Sequence, residues 1–372
     1  MNTADFVVIG GGIAGASAAY ELAVHGKTIV VEREQIAGYH TTGRSAALLT
    51  ESWEHGIIRS LTSAGRPFLE NPPDGFADYP LLSSLPLLVI GREDQRESVS
   101  LLADDAASIA EVQLLDGAGA VAMCPVLRPG YVATAMLEHG SMEIDVNELH
   151  QGFLRGLRRR GGEVRLNAEV REVRQVGGGW AVTAGESTIA TGVVVNAAGA
   201  WADAVAKLAG VSPVGLVPYR RTAFVFPSPV DTDGLPMVVD IDQEFYFKPE
   251  TGRFMGSLAE ETPMEPHDVR PEEIDVALAI DRIHRATALD IRHVSRTWAG
   301  LRSFVADRLP VVGMDPDHPG FFWLAGQGGF GIMTSPAVGS LAAGLIVRQE
   351  TPVGLVTGGV DASRLAPGRF RG

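Results

Sequence analysis

Residues 5–32, DFVVIGGGIAGASAAYELAVHGKTIVVE, constrain this chain more than any other stretch, because they spell a strand, a glycine turn, a helix and a second strand with an acid at its tip. Apolar Phe6, Val7, Val8 and Ile9 lead into Gly10, Gly12 and Gly15. Gly10 permits the tight turn off the strand, Gly12 lets the backbone approach a pyrophosphate, and Gly15 lets the helix pack close to the sheet. The helix that opens at Ile13 and Ala14 points its first N–H groups and its positive dipole end at the same turn. Glu32 is placed to accept hydrogen bonds from a ribose. A lone G-x-G-x-x-G also occurs in ordinary turns, but with both strands, the helix and the acid in position the stretch reads as a dinucleotide site.

At 372 residues the chain is long for one hydrophobic core, so two domains are expected. No apolar run reaches the ~18 residues of a membrane span. The longest, 191–202 and 321–333, are broken by Asn196 and by Gln327 with its glycines. The N-terminus lacks a basic region, carries Asp5 before its apolar run and has a glycine turn where a cleavage site would fall, so a cytoplasmic protein is expected rather than a secreted one. Cys124 is the only cysteine, which rules out an internal disulfide, a cysteine-based zinc site and an iron–sulfur cluster held by this chain. The nine histidines show no metal-ligand spacing, and no metal is expected. A net charge of −14 argues against a nucleic-acid partner. The basic run Arg155, Arg158, Arg159 and Arg160 ends a predicted helix whose start is acidic, which suits the helix dipole.

Helical periodicity is predicted over 55–69, 92–110, 143–160, 271–289 and 335–348. Strands are predicted over 85–90, 163–166, 170–176, 180–183, 193–195, 222–226, 245–248 and 321–325. A dinucleotide half at the start and a strand, glycine turn and helix at the end imply one domain made of separated segments. The expected fold is α/β: a Rossmann-like cofactor domain (1–80, 143–217 and 298–372) with an inserted α+β substrate domain on a mixed or antiparallel sheet (81–142 and 218–297).

The opening motif does not separate FAD from NAD. Arg44-Ser45 in a loop after the acidic strand, the small-residue turn Ala197-Ala198-Gly199, and Gln327 to Thr334 before the last helix favour FAD, since a late helix N-terminus suits an anionic reduced flavin. With these strings the chain resembles the FAD-dependent D-amino-acid oxidase superfamily, which includes glycine oxidase, sarcosine oxidase and D-amino-acid dehydrogenases. The likeness runs furthest toward bacterial D-arginine dehydrogenase. It is carried by VIGGGIAGAS, VVEREQIAGYHTTGRSAA, NPPDGF, DVNELHQGFLRGLRR, VVNAAGAWADAVAKLAGV, FYFKP, TWAGLRSFVAD and GFFWLAGQGGFGI. The resemblance implies non-covalent FAD, held by Gly10, Gly12, Ile13, Ala14, Gly15, Glu32, Arg33, Thr41, Thr42, Gly43, Arg44, Ser45, Ala46, Ala47, Leu48, Val170, Ala198 and Gly199. It adds the late turn of Gly328, Gly329, Phe330, Gly331, Ile332 and Met333. It also implies Arg221, Tyr246 and Arg302 at the substrate carboxylate, where a planar guanidinium binds bidentately, with Gly300 beside them.

The chain departs from the D-arginine enzyme at the expected side-chain pocket. Leu87 stands where a carboxylate would meet a guanidinium, Leu48 replaces a basic or polar residue, Trp53 replaces a tyrosine, and Met333 replaces a glutamine. An apolar pocket of this kind disfavours arginine and lysine, because a cationic side chain buried without a carboxylate costs several kcal/mol. The reaction expected is oxidation of a D-α-amino acid to its imino acid, with orientation by the protein and Trp53 walling the site. The electron acceptor (a quinone, a carrier protein or O2) is left open by the sequence. So are a secondary-amine oxidase of the sarcosine type, a 2-hydroxy-acid dehydrogenase on the same scaffold, and a flavin-binding module without turnover.

Overall fold

The computed structural model describes residues 2–53 and 56–371. Its first sheet is built outward from the opening strand. Asn2–Ile9 is flanked in parallel by Thr28–Val31 on one side and Ser187–Asn196 on the other, and Thr28–Val31 is followed by Glu163–Arg165. On its other edge the Ser187–Asn196 strand serves two more partners: its first half pairs antiparallel with Gly179–Ala184, and its end pairs parallel with Phe321–Ala325. Continuous apolar runs such as Val193-Val194-Val195 suit this arrangement, because a central parallel sheet is covered on both faces. The helices Ile13–Leu22 and Ser335–Val347 pack against each other over it, both rich in Ala and Gly, which allows close approach. A Cβ on Gly339 would meet the Ser17 backbone at 2.9 Å.

The second sheet is mixed and mostly antiparallel, in the order Arg296–Phe304, Val217–Pro227, Arg253–Ser257, Tyr246–Glu250, Met237–Asp240, Leu87–Gly91, Thr134–Glu138, Val112–Asp116, with Thr262–Pro263 pairing the start of Val217–Pro227. Helix Glu273–Ala286 covers one face over Phe224, Phe247 and Phe254. The opposite face looks toward the first sheet.

Most predicted elements appear with shifted ends. The 143–160 helix is Val146–Arg159, since Asp145 caps it by accepting from the Glu148 N–H at 2.8 Å, and the residues before it form the strand Met142–Ile144. The 92–110 helix shortens to Arg96–Ala106, and the 55–69 helix is Gly56–Glu70, His55 lying outside the described residues. Sequence reading did not predict Val112–Asp116, Thr134–Glu138, Met237–Asp240, Arg253–Ser257 or Val311–Met314 as strands. It also set the last cofactor segment to start at 298, whereas the strand Arg296–Phe304 pairs along its whole length with Val217–Pro227 of the second sheet. A small third sheet of Leu48–Leu49, Leu82–Ser84 and Met142–Ile144 ties segments assigned to both domains.

Candidate active site

The glycine turn is tightly built. Gly10 has φ +107°, and a Cβ there would lie 2.4 Å from the Ala197 carbonyl oxygen; one on Gly15 would lie 1.9 Å from the Gly10 oxygen. Gly15 therefore packs the helix and does not face the cleft. Around the turn the polar partners are fixed. Glu32 accepts from the Gly11 N–H at 2.7 Å and the Glu34 N–H at 2.9 Å, and the Thr42 hydroxyl accepts from the Ile13 N–H at 3.0 Å.

Two connected hollows meet here, sharing Gly12, Thr41, Thr42, Ala197, Gly199 and Ala200. The first is lined by Gly10, Glu32, Arg33, Val170, Ala198 and Trp201, with Arg33 stacked 4.9 Å over the Trp201 ring. The second runs past Ile13, Ala14 and residues 44–48 to the late turn 328–333, and ends at the second sheet. Of the sequence-derived cofactor residues only Gly15 and Gly43 line neither hollow. Gly43 packs against Gly38, to whose carbonyl its N–H donates at 2.8 Å. Arg44 corrects an expectation in part: it borders the cleft, but its guanidinium is engaged elsewhere, donating to the carbonyls of Val269 and Ala299 and to Asp268. It anchors the 41–45 loop to the second sheet.

Strand register explains how distant residues converge. Arg221 faces Gly300 across neighbouring strands, Met237 pairs with Leu87, and Val239 pairs with Tyr246. Because paired residues share a face and alternate residues return to it, Arg302, Gly300, Arg221, Ala223, Tyr246, Val239, Met237 and Leu87 all lie on one face of the second sheet. All of them line the cleft, together with Leu48, Trp53 and Met333. A Cβ at Gly300 would make only ordinary contacts, 3.7 Å from Arg44, so glycine there keeps space open. At Gly329 a Cβ would approach the Arg302 guanidinium to 3.0 Å, so the late turn runs directly beside that cation.

The electrostatics of this end are unusual. Arg221 is 8% exposed, and burial together with the neighbouring Arg302 pushes its pKa down to about 10. Its Nε donates to the Glu260 carbonyl at 2.9 Å, and its Nη2 sits 3.5 Å from Glu261 with no hydrogen-bond partner. Arg302 has no ion pair or hydrogen bond to another side chain among the described residues. Two neighbouring guanidinium residues bordering one cleft, Arg302 free of any side-chain partner among the described residues, make a receptor for an anion.

A model of the family described as FAD dependent oxidoreductase (DAO) matches residues 5–345. The chain belongs to this family. Among curated relatives of this oxidoreductase, glycine oxidase of Geobacillus kaustophilus is 25% identical over 360 residues, covering 93% of this chain and 94% of its own. Human mitochondrial sarcosine dehydrogenase is 25% identical, covering 93% of this chain but 40% of its own length. In fold, the L-proline dehydrogenase of P. horikoshii superposes with a TM-score of 0.88 at 21% identity, covering 100% of this chain and 98% of its own.

The cleft fits the cofactor of this FAD-dependent family. It is long, with a carboxylate (Glu32) at one end, the N-terminus of Ile13–Leu22 in the middle and the backbone of 44–48 and 328–333 at the other. No cysteine borders it; Cys124 is buried in the second sheet's core beside Leu88 and Phe245, and burial pushes its thiol up to about 12. Sequence reading missed several residues. His150 donates from Nε2 to the Gly11 carbonyl at 2.8 Å and packs on Gly38, and burial holds its pKa low, so a neutral imidazole buttresses the glycine turn. Its sign in the sequence is only a histidine on the buried face of an amphipathic helix. Thr50, Met237, Val239, Gln243 and Ala259 also line the substrate end. His40 borders the first hollow and pairs with Glu34 at 3.0 Å.

Proposed function

We propose that the chain oxidises D-α-amino acids to imino acids, preferring apolar or aromatic side chains over arginine and lysine, with FAD bound non-covalently. The observation that carries this reading is the cation pair Arg221 and Arg302 on the same sheet face as Tyr246, opening onto a wall of Leu48, Trp53, Leu87, Met237, Val239 and Met333. Arg302 and Arg221 hold the substrate carboxylate, and the Tyr246 hydroxyl, which makes no hydrogen bond among the described residues, adds a donor. The apolar wall takes the side chain and excludes water.

FAD supplies acceptance of a hydride from the substrate Cα, leaving an imino acid that water converts to a 2-oxo acid and ammonia. The protein's part is orientation of that C–H bond. Apart from Tyr246, no group that could serve as a general base lines the substrate end among the described residues. The amine therefore enters neutral, and a 2-hydroxy acid, whose hydroxyl proton needs a base, is the poorer substrate. A sarcosine-type secondary amine would use the same cation pair, and the likeness to sarcosine dehydrogenase keeps that reading in the test. Initial rates with a dye acceptor across D-, L- and N-methyl amino acids decide: activity confined to N-methylated substrates rejects the proposal.

A further inference from the structure

The strand carrying Arg221 is supported irregularly on the edge away from Gly300. Arg253–Ser257 pairs with Ala223 to Pro227, and Thr262–Pro263 pairs with Tyr219 and Arg220. Residues 258–261 bulge between these ladders, with Ala259 at φ +61°, and they leave Arg221 and Thr222 without a backbone ladder partner on that side. Glu260 fills the gap. Its Oε1 accepts from the Thr222 N–H at 2.6 Å, and its backbone carbonyl accepts from Arg221 Nε at 2.9 Å. The Ser257 hydroxyl completes the clamp by donating to the Thr222 carbonyl at 2.6 Å. A bulge beside a site re-aims a side chain at the cost of local pairing, and here the lost pairing is replaced by the side chain of the bulge itself.

We propose that Glu260 is a positioning residue that fixes the Arg221 guanidinium for substrate carboxylate binding, with Ser257 as its auxiliary. The proposal rests on Arg221 binding that carboxylate. An arginine held at Nε by a carbonyl presents its Nη groups in one orientation, whereas a free one must be ordered by each substrate that arrives. The carboxylate charge of Glu260 is not what the clamp requires. Its Oε1 holds the Thr222 N–H and its Oε2 is buried without a partner, so the acceptor at Oε1 is the working atom.

The test uses flavin-loaded enzyme and four variants, Glu260→Ala, Glu260→Gln, Arg221→Ala and Glu260→Ala/Arg221→Ala, with KM and kcat for a D-amino acid and the Kd of benzoate read from flavin absorbance. Expected are a tenfold or greater rise in KM and in benzoate Kd for Glu260→Ala, a smaller change in kcat, and near-native constants for Glu260→Gln. In the double variant the Glu260 change adds nothing to Arg221→Ala, because residues acting through one group are not additive. Independent, multiplying effects overturn the positioning role, as does an unchanged KM in Glu260→Ala. An Arg221→Ala variant with native KM instead overturns the carboxylate reading beneath it. If Glu260→Ala does not load flavin, Glu260→Gln and Ser257→Ala decide: near-native constants in the first with a raised KM in the second are expected, and a native KM in Ser257→Ala rejects the clamp.

Discussion

Introducing a carboxylate at Leu87 tests the side-chain pocket quantitatively. Leu87 is 1% exposed, borders the cleft and pairs across the ladder with Glu138. A guanidinium brought into this pocket finds no free carboxylate and loses its hydration, which costs about 3–5 kcal/mol, or roughly a hundred- to several-thousandfold in kcat/KM. Leu87→Glu supplies the missing partner but creates a second problem. Glu138, 1% exposed, already accepts from the Thr50 and Ser52 hydroxyls and the Glu51 N–H. Cross-strand neighbours have Cβ atoms about 5 Å apart, and two carboxylates at that distance repel by about 3 kcal/mol at an effective dielectric near 20. The single variant therefore regains little, on the order of tenfold, in the D-arginine to D-leucine ratio of kcat/KM. Leu87→Glu/Glu138→Gln removes the repulsion and keeps acceptors for the local donors, and its ratio rises by about a hundredfold or more. The assay is dye reduction at limiting substrate with flavin content checked for each protein. A ratio within threefold of native in both variants would refute the placement of the substrate side chain against Leu87.

Three further outcomes follow from the same geometry. Arg221, its pKa lowered to about 10, loses its charge as pH rises through that value, so the Kd of benzoate should be flat below about pH 10 and weaken above it; a flat profile through pH 11 would contradict that lowered pKa. Gly10→Ala, at φ +107° and 2.4 Å from the Ala197 oxygen, should yield protein that loses flavin on gel filtration while keeping most of its circular dichroism. Cys124, buried with its thiol near 12, should resist iodoacetamide in the folded protein and react only in denaturant.

How legible the molecule was depended on how local the signal is. The glycine turn and Glu32 were readable because their hydrogen-bond partners, Gly11, Glu34 and Thr42, lie within one β-α-β unit and its following loop. Arg221, Tyr246 and Arg302 entered through resemblance, since nothing in the spacing of three residues on separate strands says that register brings them to one face. The short strands Val112–Asp116 and Met237–Asp240 escaped notice, the first because it is half exposed with weak alternation, the second because four residues carry too little periodicity. Arg44, expected in the cofactor loop, borders the cleft, but its guanidinium is taken by Val269, Ala299 and Asp268, partners more than 200 positions away that only the fold supplies. The buried His150 buttress was invisible for the same reason.

The most direct measurement is anaerobic reduction of the enzyme's flavin, followed by its absorbance, with D-leucine, D-phenylalanine, D-arginine, the L-enantiomers and sarcosine in parallel. The account requires rapid bleaching by D-leucine and D-phenylalanine and slow or no bleaching by D-arginine. Bleaching by sarcosine or the L-enantiomers alone, or fastest by D-arginine, would contradict it.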